Sequence, residues 1–348
     1  MQLGMTWEAM IETALAPPLD FTLPEVPFSS TWLAEQGLGA WWFPDFAPEE
    51  LIARLWASAV GRLPAPGLPG WLREWYGWSV SLGRALVWLP LPGTAAAGEL
   101  ARSQPALVTV LGGDAEGVSR VPVAWGRPSP KLAGMAGPVL ASKVSRLCLW
   151  EGETVIVPQG LGAVERKEGL AMFPLDYVEP VDFQRYAVDG RAVARARATG
   201  ALLWGAWLWG AAVAGLLLAR RRLLERHQFG RPLARFQATR HQMVDLAVAL
   251  EPQADLFEAA LRAYQEGPED FIQRANLAAA RAMRLSHQVL KACALFWGGY
   301  SFLQDYPPSR YTLATRIFEP VAGEAHDLEE EAIGTLSRSE GKAGESQL

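Results

Sequence analysis

The stretch "GALLWGAWLWGAAVAGLLLA", from Gly200 to Ala219, contains no charged or strongly polar side chain. A run of about 20 apolar residues is long enough for a helix that crosses a lipid bilayer. Three arginines follow it at positions 220–222, and basic residues beside an apolar helix are typical of a cytoplasmic membrane flank. A helix that is apolar on all sides can equally be the central helix of a bundle. The rest of the sequence has to decide between these two structures.

The overall composition favours a soluble protein in a reducing compartment. The 348 residues are 50% hydrophobic and 20% charged, which is ordinary for globular domains. The formal net charge of -5 is small and spread along the chain, so no basic stripe indicates nucleic-acid binding. The N-terminal segment "MQLGMTWEAMIETALAPPLD" lacks a basic flank and a continuous apolar run, so we expect no signal peptide. Cys148 and Cys293 lie far apart among apolar neighbours, which predicts buried free thiols and a cytoplasmic location.

The first half of the chain predicts two domains of different class. Residues 1–104 show helical patterning broken by proline-rich turns such as "GRLPAPGLPG", which predicts a helical domain. Residues 105–184 carry short β-branched runs, "PALVTVL", "RVPVAW" and "ETVIVPQ", separated by turn residues. That spacing predicts a small β domain. The expected fold class is therefore α+β.

The second half predicts a helical bundle. Between residues 185 and 337, three long segments and one shorter segment have helical periodicity, and the apolar stretch lies in the first of them. We expect a C-terminal four-helix bundle with that first helix inside it. Its recurring glycines permit close helix contact in a bundle or in a membrane and do not separate the two. Residues 338–348 are polar and are expected to form a flexible tail.

The segment "ERHQFGRPLARFQATRHQMVDL", from Glu225 to Leu246, resembles the acyl-CoA dehydrogenase family. In that family a long helix ends in Arg-x-x-Phe-Gly, a Pro-Leu or Pro-Ile turn follows, and Phe-Gln or His-Gln opens the next helix. Downstream, "FWGGYSFLQDYPPSR" is similar to the family's Gln-x-x-Gly-Gly-x-Gly, which is followed by an acidic residue, Tyr and Pro. Upstream, Gly210 falls where the family has a helix-packing glycine. The resemblance implies the family's fold for the whole chain and no membrane span.

The resemblance also implies that catalytic groups are missing. In the family, a carboxylate removes the α-proton of an acyl-CoA while the β-hydride passes to the flavin, and neither half proceeds without its partner. An ungapped count places Ala322 at the position of the usual base and Gly200 at a second position used for it. An Arg-Asp pair is replaced by Leu313-Ala314, and "VAWGRPSPKLAGMAG" replaces the flavin-ring segment of the β domain. We therefore assign no catalytic residue, although a gapped alignment of "RIFEP" would make Glu319 the base.

The resemblance implies that the family's contacts to the cofactor of a neighbouring subunit are retained. In its oligomers the adenosine and diphosphate half of each FAD is held by the helical bundle of the adjacent chain. The positions that correspond here are Arg226, Gln228, Phe229, Gln237, Gly298 and Gly299. An arginine at a helix end supplies charge-assisted donors to a diphosphate, and glycines let the backbone approach it closely. One departure is Leu295, which replaces the glutamine before the two glycines.

The resemblance therefore implies a non-catalytic subunit of a heteromeric FAD-dependent acyl-CoA dehydrogenase. A paralogous catalytic chain would supply the base, the acyl-CoA pocket and the flavin-ring site, and bulky thioesters such as steroid side chains would be the substrates. An electron-transfer flavoprotein is the corresponding candidate acceptor. The alternatives are a homo-oligomeric dehydrogenase that uses Glu319, or a flavin-free scaffold that binds acyl-CoA. In the scaffold, Arg226 and Gln228 are ordinary surface residues and the two glycines only end a helix. The four histidines show no metal-ligand spacing.

Overall fold

A computed structural model describes most of the chain outside its N-terminal region. The residues described are 56, 63–84, 89, 91–111, 123–126, 146–166, 176–303, 308–313, 315 and 324–334. Most of the predicted N-terminal helical domain, the residues Glu319 and Ala322, and the predicted tail at 338–348 lie outside this set.

Helices precede the sheet. Helix α1 spans Trp71–Arg84, α2 spans Leu91–Ser103 and α3 spans Ala106–Val110. The last of these lies in "PALVTVL", so the strand predicted there is wrong. Pro105 has helical backbone angles at the start of α3, and Leu107 packs in the core between α2 and the sheet. A short apolar run fits a strand or a buried helix equally well, and packing decides between them.

The β domain is a four-stranded sheet. Its strands are β1 (Val123–Gly126), β2 (Arg146–Glu151), β3 (Thr154–Arg166) and β4 (Asp176–Ala187), in that spatial order. The β1–β2 pair is parallel, and the β2–β3 and β3–β4 pairs are antiparallel. The strands predicted at "RVPVAW" and "ETVIVPQ" are confirmed. One face of the sheet packs on α2 and on the first turns of the next helix, so it joins the β domain to the bundle.

The C-terminal bundle has the predicted helices. Helix α4 spans Gly190–Glu225, α5 spans Gln237–Glu266 and α6 spans Pro268–Trp297, with a shorter helix over residues 325–334. The side chain of Asp189 caps α4 by accepting a hydrogen bond from the Ala192 amide at 3.2 Å. This cap satisfies one of the free amides at the helix start. The α+β fold and the helical bundle are confirmed.

Helix α4 is the centre of the molecule. By length and apolar composition it could cross a membrane, but 83% of its most apolar 18-residue window is buried inside the protein. A Cβ atom at Gly210 would lie 2.1 Å from the carbonyl oxygen of Val80, and one at Gly83 would lie 1.8 Å from that of Trp207. Helices α1 and α4 therefore touch backbone to backbone, as the resemblance implied for Gly210. Burial against other helices accounts for the apolar composition of α4.

The same helix contacts α6 through small residues. Gly205 lies against Ala279, and Gly215, ten residues on, lies against Leu290. The residue numbers of the contacting positions increase in the same direction along both helices. Helices α4 and α6 therefore run parallel and end on the same side of the bundle. Helix α5 runs back between them in sequence, and Gln253 ties it to α6 through a 2.8 Å hydrogen bond from its Nε2 to the Ala278 carbonyl.

Both cysteines are buried and free, as predicted. Burial raises the pKa of Cys148 and of Cys293 to about 12. Neither thiol therefore forms a reactive thiolate near neutral pH.

Candidate functional site

Three helix ends meet on one side of the bundle. Helix α4 ends at Glu225 and is capped by Arg226, and a two-stranded hairpin pairs His227–Gln228 with Arg231–Pro232. A short 3-10 turn leads into α5, whose first residue is Gln237. Helix α6 ends beside them because it runs parallel to α4. Gly298 ends α6 with a φ of 61°, a left-handed conformation that favours glycine.

A cleft of about 440 Å³ opens among these ends. It is lined by Arg226, by Leu233, by residues 295–300 at the end of α6 and by Leu303. We call it the Arg226 cleft. The cleft brings together three of the six residues predicted to contact the cofactor: Arg226, Gly298 and Gly299. Arg226 lies about 70 positions before the two glycines in sequence. Apart from the adjoining residues of the chain, no described residue has an atom within 4 Å of a Cβ placed on either glycine, so the backbone there is open to a ligand.

The other three predicted residues lie on the same side of the bundle but outside the cleft lining. Gln228 and Gln237 are exposed, and the Phe229 side chain is 91% exposed. Phe229 and Gly230 both have positive φ, 52° and 75°, as a type I′ hairpin turn requires. Phenylalanine is a poor residue for this conformation, since a left-handed backbone is strained for a bulky side chain. Its exposed ring at the tip of the hairpin is therefore not explained by local stability.

The hairpin tip rests on a second aromatic ring. Phe229 meets Phe236 edge to face with the ring centroids 6.2 Å apart, and the Arg231 guanidinium carbon lies 4.1 Å from the Phe236 ring centroid. These contacts hold the Phe229 ring in place although solvent surrounds it. The hairpin thus presents a positioned apolar side chain next to the Arg226 cleft.

Sequence reasoning missed one cationic residue at this site. The guanidinium carbon of Arg222 lies 5.1 Å from the ring centroid of Trp297 and 5.4 Å from that of Tyr300, and that of Arg226 lies 5.9 Å from Tyr300. Both rings line the cleft. The spacing of Arg222 and Arg226, four positions apart on one helix, was the available signal. By contrast, Arg221 turns away and donates to Glu225 Oε1 at 2.7 Å.

An apolar rim surrounds the cleft. Large hydrophobic side chains are exposed at the ends of α4 and α6 and at the hairpin tip: Leu224, Phe229, Leu295, Phe302 and Leu303. Phe302 is 86% exposed. Exposed apolar groups gathered around polar ones are typical of interaction surfaces.

The position of the second family base is closed. Gly200 is buried, and a Cβ atom there would lie 3.3 Å from the Pro92 carbonyl oxygen and 3.4 Å from the Ala96 Cβ. Helix α2 therefore packs against this position at close to van der Waals contact.

A buried ionic cluster lies toward the opposite end of α4. The Glu99 carboxylate, which is nearly inaccessible, accepts hydrogen bonds from Arg195 Nε and from the Tyr264 hydroxyl, the latter at 2.6 Å. The Arg195 guanidinium carbon also lies 4.3 Å from the Tyr264 ring centroid. Burial, and then the Glu99 charge, raise the pKa of Tyr264. Each group has partners, so the cluster has the character of a structural contact between α2, α4 and α5.

Comparison with known proteins identifies the bundle. Residues 190–326 match the sequence family described as acyl-CoA dehydrogenase, C-terminal domain. The chain is 31% identical over 115 residues to a 3-sulfinopropanoyl-CoA desulfinase of Variovorax paradoxus, a match that covers 33% of this chain and 28% of the relative. The matched segment thus spans about a quarter of the length of the curated relatives.

Solved structures resemble the chain over almost its whole length. One is the Tcur3481-Tcur3483 steroid ACAD, with a TM-score of 0.68 and 21% identity, covering 89% of this chain and 98% of that one. Another is the ChsE4-ChsE5 complex from Mycobacterium tuberculosis, with a TM-score of 0.62 and 19% identity over 99% of both chains. At this identity the likeness shows the fold, which is that of the acyl-CoA dehydrogenases.

Proposed function

We propose that this chain, whose residues 190–326 match the acyl-CoA dehydrogenase C-terminal domain, is a non-catalytic subunit of a heteromeric FAD-dependent acyl-CoA dehydrogenase. In this proposal a paralogous chain supplies the base, the acyl-CoA pocket and the flavin-ring site. The present chain completes the adenosine and diphosphate half of that cofactor site. The complex catalyses α,β-dehydrogenation of an acyl-CoA thioester.

The observation that carries the proposal is the composition of the Arg226 cleft. It combines a guanidinium group with two glycines whose open backbone leaves room for a ligand. This combination fits a diphosphate, since arginine binds phosphate oxygens through charge-assisted hydrogen bonds and glycine allows close approach. Arg226 and the backbone of Gly298 and Gly299 would hold the diphosphate. FAD, when bound, supplies the ring that accepts hydride in the family's reaction.

The proposal that this chain lacks a base has its own support. Gly200 has no ionisable side chain, and α2 fills the adjoining space. A general base has to reach the proton that it abstracts, and no group at this position can do so. The base would then belong to the partner.

The neighbours in structure and the apolar rim support the proposed partner and substrate. Of the similar structures, ChsE4-ChsE5 is described as a complex, and Tcur3481-Tcur3483 is described as a steroid ACAD. The rim around the Arg226 cleft would be covered by the paralogous subunit, and a bulky, steroid-derived thioester would be the substrate. We further propose an electron-transfer flavoprotein as the electron acceptor and the cytoplasm as the location.

The decisive experiment is Arg226→Ala in the complex with the partner. A charge-assisted contact to a partly buried diphosphate is worth about 1.5–3 kcal/mol. We therefore expect FAD affinity to fall roughly ten- to a hundredfold, measured by flavin fluorescence on dilution. Arg221→Ala is the matched control, because Arg221 is exposed and already paired with Glu225, and it should leave FAD affinity unchanged.

The visible absorbance of purified protein separates the alternatives. A flavin spectrum that appears only after the partner is added supports the proposal. A flavin spectrum of the chain alone, together with turnover, would favour a homo-oligomeric enzyme that uses Glu319. A colourless complex, or unchanged FAD affinity in an assembled Arg226→Ala complex, would contradict a role in the cofactor site.

A further inference from the structure

Arg222 packs on two aromatic rings of the Arg226 cleft, and the resemblance assigns it no role. It lies in the last turn of α4, four positions before Arg226, which caps the C-terminus of that helix, so the two side chains leave the helix end on the same side. The two guanidinium carbons lie 5.4 and 5.9 Å from the centroid of one ring, that of Tyr300. Arg222 also packs over Trp297 at 5.1 Å. Arg222 is not itself in the cleft lining, but like Arg226 it contacts the aromatic wall of the cleft.

The charge of this pair is not balanced by the described part of the chain. Neither Arg222 nor Arg226 forms an ion pair with a carboxylate among the described residues, whereas the adjacent Arg221 does. The Nε of Arg222 is buried and has no hydrogen-bond partner among those residues. A buried donor without an acceptor is unfavourable, and two neighbouring cations repel each other. An anion with several acceptor oxygens relieves both conditions at once.

We propose that Arg222 is the second cation of this site and that the pair selects a diphosphate over a monophosphate. The inference rests on the proposed function, in which the cleft holds the diphosphate of FAD. A diphosphate offers one phosphoryl group to each guanidinium, and a monophosphate ester offers only one in all. Stacking on Trp297 and Tyr300 fixes the orientation of Arg222 before the ligand arrives, which lowers the entropy lost on binding. The site thus distinguishes FAD from the monophosphate FMN through its own side chains.

The test uses the full-length chain with ADP and AMP as probes, each titrated by calorimetry. We expect the wild-type chain to prefer ADP over AMP. Arg222→Gln should weaken ADP binding by about tenfold or more and change AMP binding much less, so that the preference largely disappears. Arg222→Lys keeps the charge without the planar fork of donors and should keep part of the preference. Arg221→Gln is the matched control and should leave both affinities unchanged.

Thermal unfolding of every variant is measured beside the titrations. If Arg222→Gln fails to fold, the ratio of ADP affinity to AMP affinity in Arg222→Lys decides. A ratio equal to that of the wild type contradicts the proposal. Equal affinity of the wild-type chain for ADP and AMP, or no ADP binding at all, overturns it. So does an Arg222→Gln variant that loses its partner while keeping the ADP preference, because Arg222 would then pair with a carboxylate of the partner.

The assembled complex separates this inference from the proposed function. If Arg226→Ala releases FAD and Arg222→Gln does not, the second cation is wrong and the proposed function stands. If neither variant releases FAD, both fail.

Discussion

The middle of α4 and its C-terminal end are parts of one continuous helix, yet they have opposite surroundings. Around Gly200, Gly205 and Gly210, neighbouring helices approach so closely that there is little or no room for a side chain. At Arg226, the helix opens into a cleft with exposed aromatic and cationic groups. Packing has filled the part of the helix where a catalytic carboxylate would lie. The part that faces outward retains the chemistry for binding a ligand.

Gly210→Ala gives the largest expected effect on this contrast. Its Cβ would lie 2.1 Å from the Val80 carbonyl oxygen, and rotation of a side chain cannot relieve a clash with backbone. We expect the free energy of unfolding to fall by about 3 kcal/mol or more, measured by chemical denaturation. Gly299→Ala, at the open end, should change it by less than about 0.5 kcal/mol. Similar losses in the free energy of unfolding for the two variants would mean that the middle of α4 and the cleft at its C-terminal end tolerate an added side chain equally well.

Glu99→Gln tests the buried contact between α2 and α4. It removes the negative charge that Arg195 and Tyr264 share and leaves their shape nearly unchanged. Breaking a fully buried pair costs about 3–5 kcal/mol; Arg195 retains some solvent access, so we expect about 2–3 kcal/mol in denaturant unfolding. The control is Glu225→Gln, which removes an exposed pair with Arg221 and should cost less than about 0.5 kcal/mol. A loss at Glu99 no larger than at Glu225 would contradict this account.

Phe229→Asn should act in the opposite direction. Asn-Gly is the preferred pair for a type I′ turn, so the exchange should stabilise the isolated chain by about 0.5–1 kcal/mol. The same exchange should weaken partner or FAD binding, because the positioned ring is lost. Phe302→Asn removes an equally exposed ring outside the positive-φ turn and should leave stability unchanged. If Phe229→Asn destabilises the free chain, the ring contributes to folding rather than to binding.

The smallest effect is expected at Glu258, which bonds Arg73 through two contacts of 2.7 Å. The hydrogen bonds from Arg73 lower the pKa of Glu258, so this pair stabilises the fold above the carboxylate's unfolded-state pKa. The contribution disappears as the pH falls through the folded-state value. Both side chains are well exposed, so the effect is at most about 0.5 kcal/mol. The free energies of unfolding of wild type and Glu258→Gln should differ at pH 7 and converge once the pH lies below the folded-state pKa of Glu258. A difference that persists there would assign the effect to packing.

The sequence predicted the parts of the fold that depend on periodicity. It indicated α4, α5 and α6 because each has a long amphipathic or apolar pattern, and it placed Arg226 at a helix end. It failed at "PALVTVL", where five β-branched or apolar residues suit a strand but pack as the short helix α3. Local pattern is ambiguous in runs of that length.

The site was predictable only where a motif marked it. Arg226, Gly298 and Gly299 were found through the resemblance, and they line one cleft. Arg222 was not found, because its role depends on Trp297 and Tyr300, which lie some 75 positions later and approach only when α4 and α6 run parallel. The Glu99–Arg195 pair was not predicted for the same reason, since its members are 96 positions apart in sequence. Contacts of this kind follow from tertiary packing and leave no short-range pattern.

The parallel packing of α4 on α6 has a consequence for biosynthesis. At about 5–20 residues per second, the ribosome completes α6 several seconds after α4, since α6 ends 72 positions downstream. During that interval α1 and α2 are already available to cover one side of α4, but the stripe that holds Gly205 and Gly215 has no partner. For those seconds the nascent chain presents an apolar helix of membrane-spanning length. We expect this uncovered stripe to be the part of the nascent chain that is most prone to aggregation until α6 packs on it.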